Sequence, residues 1–121
     1  MIKKCMKCGA TVEVLKDCTC DNCGIKCCGE QMVALKENSV ECSIEKHLPI
    51  VEVKGNEIVV TVPHVMEDEH YIEYVALEAP NYYCRKSFAS NDKPMAVFPY
   101  LPNSKVTSYC NKHGLWSTTV K

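Results

Sequence analysis

Residues 50–62 read Ile50-Val51-Glu52-Val53-Lys54-Gly55-Asn56-Glu57-Ile58-Val59-Val60-Thr61-Val62, and this stretch decides the fold class. β-Branched side chains dominate both halves, and such residues pack well on a pleated, half-buried surface. Lys54-Gly55-Asn56 between them is hairpin chemistry, because glycine reaches the positive φ that a tight turn needs. The stretch therefore predicts two antiparallel strands, Ile50 to Val53 and Glu57 to Val62. Downstream, His70 to Glu78 continues the period-two pattern around Tyr71, Ile72, Tyr74, Val75 and Leu77. Further short strands are predicted over Tyr82–Phe88, Ala96–Tyr100, Val106–Tyr109 and Leu115–Val120. Asn91-Asp92-Lys93-Pro94, Pro102-Asn103 and Asn111 to Gly114 supply the turns between them. No stretch carries a helical stripe of useful length. Seven or so short strands at this spacing predict an immunoglobulin-like β-sandwich in a mainly β protein.

Upstream the composition changes near residue 37. Residues 1–36 hold seven of the ten cysteines, three glycines and almost no sustained apolar pattern. Such a segment cannot bury enough surface to fold alone, so a metal must be its core. The chain is thus read as two parts, a metal-binding module over 1–36 and a β-sandwich domain over 37–121. In the module, Cys5-Met6-Lys7-Cys8-Gly9 is a knuckle and Cys27-Cys28-Gly29 offers a second pair. Four thiolates make a tetrahedral site that suits iron or zinc equally. Cys18, Cys20 and Cys23 add three further candidate ligands in the loop between. Cys42 and Cys84 lie in strand-like contexts and read as ordinary core thiols.

The bulk numbers exclude several classes of function. A net charge of −1 provides no basic field, which argues against nucleic acid and anionic membranes as partners. The longest apolar runs are far too short to cross a bilayer. Lysines near the N-terminus have no apolar segment behind them, so no secretory signal is read there. With no export signal and with cysteines this closely spaced, metal ligation is favoured over disulfides, and the expected compartment is the cytoplasm.

The chain has four histidines, His47, His64, His70 and His113, all at strand ends or in loops. His113 follows Cys110 by three, which makes a local chelate. His64 and His70 bracket a loop long enough to fold two imidazoles around one ion. If all four imidazoles and the Cys110 thiolate converge, five ligands exceed what structural zinc prefers and leave an octahedral metal one open position. With a divalent ion the formal charge is +1, which attracts a small anion. The thiolate donates electron density, which favours reduction of whatever binds.

These residues stand in motifs that resemble desulfoferrodoxin, the two-iron superoxide reductase family. The module is similar to desulforedoxin in Cys5-x-x-Cys8-Gly9, Val12-Glu13-Val14-Leu15 and Cys27-Cys28-Gly29-Glu30-x-Met32. The remainder is similar to the catalytic domain in Lys36-Glu37-Asn38, Glu45-Lys46-His47-x-Pro49, Met66-Glu67-x-x-His70-Tyr71-Ile72-Glu73 and Cys110-Asn111-x-His113-Gly114-x-Trp116. The resemblance implies that His47, His64, His70 and His113 form the equatorial plane of an iron site, with Cys110 as the axial thiolate. It implies that Glu45 is the carboxylate able to occupy the sixth position in oxidised iron. Lys46 would draw superoxide in and order water for proton delivery. Cys5, Cys8, Cys27 and Cys28 would hold the second iron or zinc. A donor such as rubredoxin and a homodimer are implied as partners. Where the family has His-Pro-Met-Glu, this chain has Pro63-His64-Val65-Met66-Glu67, with the spacing to His70 kept. A pure electron carrier or a zinc-stabilised binding module needs no open five-ligand site. Trp116 and Tyr109 are expected to pack around that site, and Glu67, Asp68 and Glu69 to form a solvated loop.

Overall fold

A computed structural model describes residues 1–21, 23–39 and 44–121, with Glu45 described by its backbone alone. Cys42 therefore lies outside the described residues. The chain divides into two compact units, Met1–Lys36 and Glu37–Lys121.

The first unit is built from five very short strands: β1 (Ile2–Lys4), β2 (Thr11–Glu13), β3 (Lys26–Cys27), β4 (Glu30–Gln31) and β5 (Val33–Ala34). One sheet has the order β2-β1-β5, and β3 pairs only with β4. Among the described residues of this unit, Cys5 and Met32 are the only buried apolar side chains. That is too little apolar surface to offset the entropy of ordering a 36-residue segment. The ion pair of Lys3 Nζ with Asp17, at 2.9 Å, ties the following loop back to β1.

The first element among the described residues of the second unit is a helical turn, α1 (Ile44–His47), closed by the bond from Leu48 N to Ile44 O at 3.0 Å. Seven strands follow: β6 (Ile50–Lys54), β7 (Glu57–Thr61), β8 (Ile72–Ala79), β9 (Tyr82–Ser87), β10 (Met95–Pro99), β11 (Lys105–Cys110) and β12 (Gly114–Thr119). Each coincides with an expected strand to within about two residues at either end. They form two antiparallel sheets, ordered β10-β7-β6 and β12-β11-β8-β9. The turn after Lys54 carries φ of 64° at Gly55, as glycine at the first central position of a two-residue hairpin should.

The sandwich core follows from register. Ala96 pairs with Val60 and Phe98 with Ile58 on the three-stranded sheet, while Val106 pairs with Leu77 on the other. These side chains join Val62, Val75 and Val120 in one cluster, against which Cys84 packs half-buried. Full burial of each branched aliphatic contributes about 1.5–3 kcal/mol, so this layer carries most of the unit's stability. The four-stranded sheet has one irregularity: the β11–β8 register shifts between Tyr109 and Cys110, bringing Cys110 opposite Ile72. A bulge of this kind re-aims the side chain that follows it. Here that side chain is a sulfur.

Candidate metal centres

Four separate pieces of the second unit converge on the end of the sheet where Cys110 lies. The ligand-type atoms of His47, His64, His70, Cys110 and His113 all lie within 4.8 Å of one another. Each is held by identifiable contacts.

His47 ends α1 and is 3% exposed. Its carbonyl accepts a bond from the Ser108 hydroxyl on β11 at 2.9 Å, and its ring stacks on Trp116 of β12 at 5.1 Å between centroids. Trp116 Nε1 donates in turn to His113 O at 3.1 Å, so one indole braces two of the imidazoles. His64 follows a γ-turn centred on Pro63, with its N–H bonded to Val62 O at 2.8 Å. Proline suits that turn because its ring fixes φ near the required value. The His64 Nδ1 then contacts Val65 O at 2.5 Å, which directs Nε2 towards Cys110 Sγ, 3.4 Å away. His70 closes a reciprocal pair of backbone bonds with Glu67, at 3.0 and 3.1 Å. Glu67, Asp68 and Glu69 are exposed as expected, although Asp68 also accepts a bond from Ser90 at 2.6 Å.

Cys110 and His113 flank the β11–β12 turn, where Gly114 takes φ of 80°. Asn111 between them ties this turn to the His70 loop. Its Oδ1 accepts from Tyr71 N at 3.0 Å and its Nδ2 donates to Glu69 O at 3.0 Å. Its own N–H donates to Tyr71 O at 3.2 Å. Neither Asn111 nor Ser108 emerges from ligand spacing. The one available signal is a side chain with both donor and acceptor placed between two ligands. Tyr109, next to Cys110 on β11, is buried and stacks on Tyr74 at 5.6 Å between centroids.

The donor set fits a metal. His47 Nε2 and His113 Nδ1 are 3.0 Å apart. Two nitrogens bound at right angles to one ion at about 2.1 Å would be separated by about 3.0 Å. His70 Nε2 is buried with no hydrogen-bond partner, a costly arrangement unless something else takes its lone pair. Burial holds both His64 and His113 below the usual imidazole range, and repulsion among the neighbouring imidazoles adds to it. For His64 the bond to Val65 O opposes the shift. The neutral imidazole is the form a metal binds. Cys110 is fully buried while His64, His70 and His113 are partly exposed, so the sulfur lies at the closed side of the cluster. Lys46 is exposed on α1 next to His47, and the side chain of Glu45 lies outside the described residues.

In the first unit, the sulfurs of Cys5, Cys8, Cys27 and Cys28 also lie within 4.8 Å of one another. The turn joining β3 to β4 has positive φ at both Cys28 (54°) and Gly29 (76°), and this lets two consecutive cysteines face one point. Cys8 Sγ to Cys27 Sγ is 3.6 Å and Cys27 Sγ to Cys28 Sγ is 3.9 Å. A tetrahedron of sulfurs at about 2.3 Å from an ion has edges of about 3.8 Å. Cys8 N–H points at Cys5 Sγ at 3.5 Å. The bond from Cys8 is the main cause that lowers the Cys5 thiol to about 7, while contact with Cys8, then Cys5 and Cys28, raises Cys27 to about 12. Packed sulfurs of this kind hold on to shared protons, which a cation would replace.

A family model described as Desulfoferrodoxin matches residues 39–119. The desulfoferrodoxin of Syntrophotalea carbinolica is 40% identical over 121 residues, covering 97% of this chain and 94% of that protein. The desulfoferrodoxin of Nitratidesulfovibrio vulgaris is 39% identical, covering 95% and 92%. The crystal structure of the superoxide reductase from Treponema pallidum superposes with a TM-score of 0.73 at 26% identity, covering 98% of this chain and 99% of that one.

Proposed function

The chain belongs to the desulfoferrodoxin family, and we propose that it reduces superoxide to hydrogen peroxide at iron held by His47, His64, His70, His113 and Cys110. The observation that carries this reading is the convergence of four imidazoles and one thiolate around a buried, otherwise unpartnered His70 nitrogen. When bound there, iron supplies the single electron by cycling between its ferrous and ferric states.

The residues do the rest. Four neutral imidazoles and one thiolate leave a divalent ion with a net charge of +1, which favours approach of an anion. The buried Cys110 sulfur strengthens electron donation from the closed side. Lys46 adds a mobile cation at the exposed end of α1, raising the local concentration of superoxide and ordering the water that delivers its two protons. We assign Glu45, two residues before His47, to closing the oxidised site, since a hard carboxylate prefers the more highly charged ion. Trp116, Ser108 and Asn111 position the ligands without touching substrate.

Cys5, Cys8, Cys27 and Cys28 would hold the second iron, or zinc. Of these, Cys8 and Cys28 are exposed, which supports electron entry from a small carrier such as rubredoxin. A homodimer is supported by the apolar outer side of the three-stranded sheet, where Ile50, Met95 and Val97 are exposed. The test is stoichiometry. Reduced iron-loaded protein mixed with superoxide should yield one hydrogen peroxide per superoxide with no dioxygen released. Half that yield with dioxygen would mean dismutation and would overturn the reading.

A further inference from the structure

The third sulfur cluster is used by neither centre. Cys18, Cys20 and Cys23 have their sulfurs within 4.8 Å of one another, separate from the four-thiolate group. Cys20 and Cys23 are joined as a disulfide with Cα atoms 5.7 Å apart, and Cys18 beside them is a free thiol. Cys18 and Cys20 are exposed, and Cys23 is half-buried. The loop is anchored at its entrance, where Asp17 accepts bonds from Lys3 Nζ at 3.0 Å and from Cys18 N at 2.9 Å. At its exit Gly24 lies against the end of the Gln31 side chain. The sulfurs of Cys18 and Cys20 are thus on exposed residues of a loop anchored at its entrance.

We propose that Cys20 and Cys23 form a reversible dithiol–disulfide couple oxidised by hydrogen peroxide, with Cys18 as an exchange thiol within reach of both. In a reducing compartment a closely spaced cysteine pair outside a metal site is redox-active rather than structural. The exposed Cys20 thiolate attacks one peroxide oxygen, the O–O bond breaks, and hydroxide leaves and takes up a proton to become water. The Cys23 thiol then displaces a second water from the Cys20 sulfenic acid, forming the S–S bond. Two thiols and one peroxide become one disulfide and two waters, the sulfurs losing the two electrons that the oxygens gain. A protein or small-molecule dithiol resets the pair by exchange, becoming a disulfide itself. Cys18 can open the bond from within, moving it to another pair in the loop. The inference rests on the reductase reading only for the source of the oxidant, since peroxide is the product of that reaction.

The test uses metal-loaded protein reduced with dithiothreitol, desalted without air and treated with added hydrogen peroxide. Differential alkylation and peptide mass mapping then locate the cysteines. The expected result is loss of two alkylatable thiols per chain as a Cys20–Cys23 disulfide, restored by dithiothreitol. Cys20→Ser and Cys23→Ser, each combined with Cys18→Ser so that no second pair is left in the loop, should abolish that loss while keeping metal content and superoxide consumption. Equal oxidation of all cysteines overturns the proposal. So does a third metal ion per chain that shields Cys18, Cys20 and Cys23 from alkylation and is lost in Cys20→Ser. Because peroxide is added directly, the disulfide should form even in protein that fails to reduce superoxide, so the two readings fail separately.

Discussion

Asn111 holds the two loops that carry His70 and the Cys110–His113 pair, with both ends of its amide and its backbone N–H engaged. Groups that orient metal ligands typically contribute 10–100-fold in metal affinity. Asn111→Ala should therefore weaken iron retention by about that factor, read by competition with a chelator, and Asn111→Asp should recover part of it. Unchanged retention in Asn111→Ala would remove it from the site. The five clustered side chains themselves were legible because histidine and cysteine are scarce and chemically marked. Asn111 was not, since nothing in a Cys-x-x-His spacing says which intervening side chain ties the turn down. The role proposed for Lys46 predicts that Lys46→Ala slows the second-order reaction with superoxide and flattens its dependence on ionic strength, leaving the iron spectrum unchanged. An unaltered rate at low salt would exclude it. Glu45→Ala should change the ferric absorption band and let azide or cyanide bind the ferric form more readily. If ferric spectrum and anion affinity match the parent at every pH, Glu45 is a surface charge only.

At the scale of elements, the seven sandwich strands could be read from alternation and turn chemistry because each is five or more residues long. The pairing of β10 with β7 could not, since the two are separated by more than thirty residues and any edge strand offers the same backbone groups. The strands of the first unit are two or three residues long, below the length at which a period is visible. α1 is a single turn and leaves no stripe either. Glu37 shows how an element is secured before its first strand. Its carboxylate accepts bonds from Lys105 Nζ at 2.6 Å and Ser117 Oγ at 2.8 Å, joining the start of the second unit to β11 and β12. Burial alone would raise this carboxyl, but the bonds from Lys105 and Ser117 outweigh it and hold it below the ordinary range. A lowered carboxyl stabilises the fold above its unfolded pKa and loses that contribution as pH falls through the folded value. Glu37→Gln should cost about 1 kcal/mol near neutral pH, and the difference should disappear at acid pH once the carboxyl is protonated in the folded protein as well. Urea unfolding of parent and variant at the two pH values tests this. An equal gap at both would mean that the charge is irrelevant.

For the molecule as a whole, the division into Met1–Lys36 and Glu37–Lys121 sets two sources of stability side by side. The second unit has an aliphatic core, whereas Cys5 and Met32 are the only buried apolar residues described in the first. Removing the metal from the four-thiolate site should therefore unfold residues 1–36 while the sandwich persists. Hydrogen exchange read by region before and after chelation would show it, and continued protection of the first unit would contradict it. The reductase reading rests on the second unit, where a bulge, a γ-turn and one helical turn bring five ligand-type side chains together. Diffraction from crystals of iron-loaded protein, with anomalous data at the iron edge, tests this most directly. One iron peak should lie about 2.0–2.5 Å from His47 Nε2, His64 Nε2, His70 Nε2, His113 Nδ1 and Cys110 Sγ. An iron peak there with any of the four imidazoles turned to solvent would contradict it.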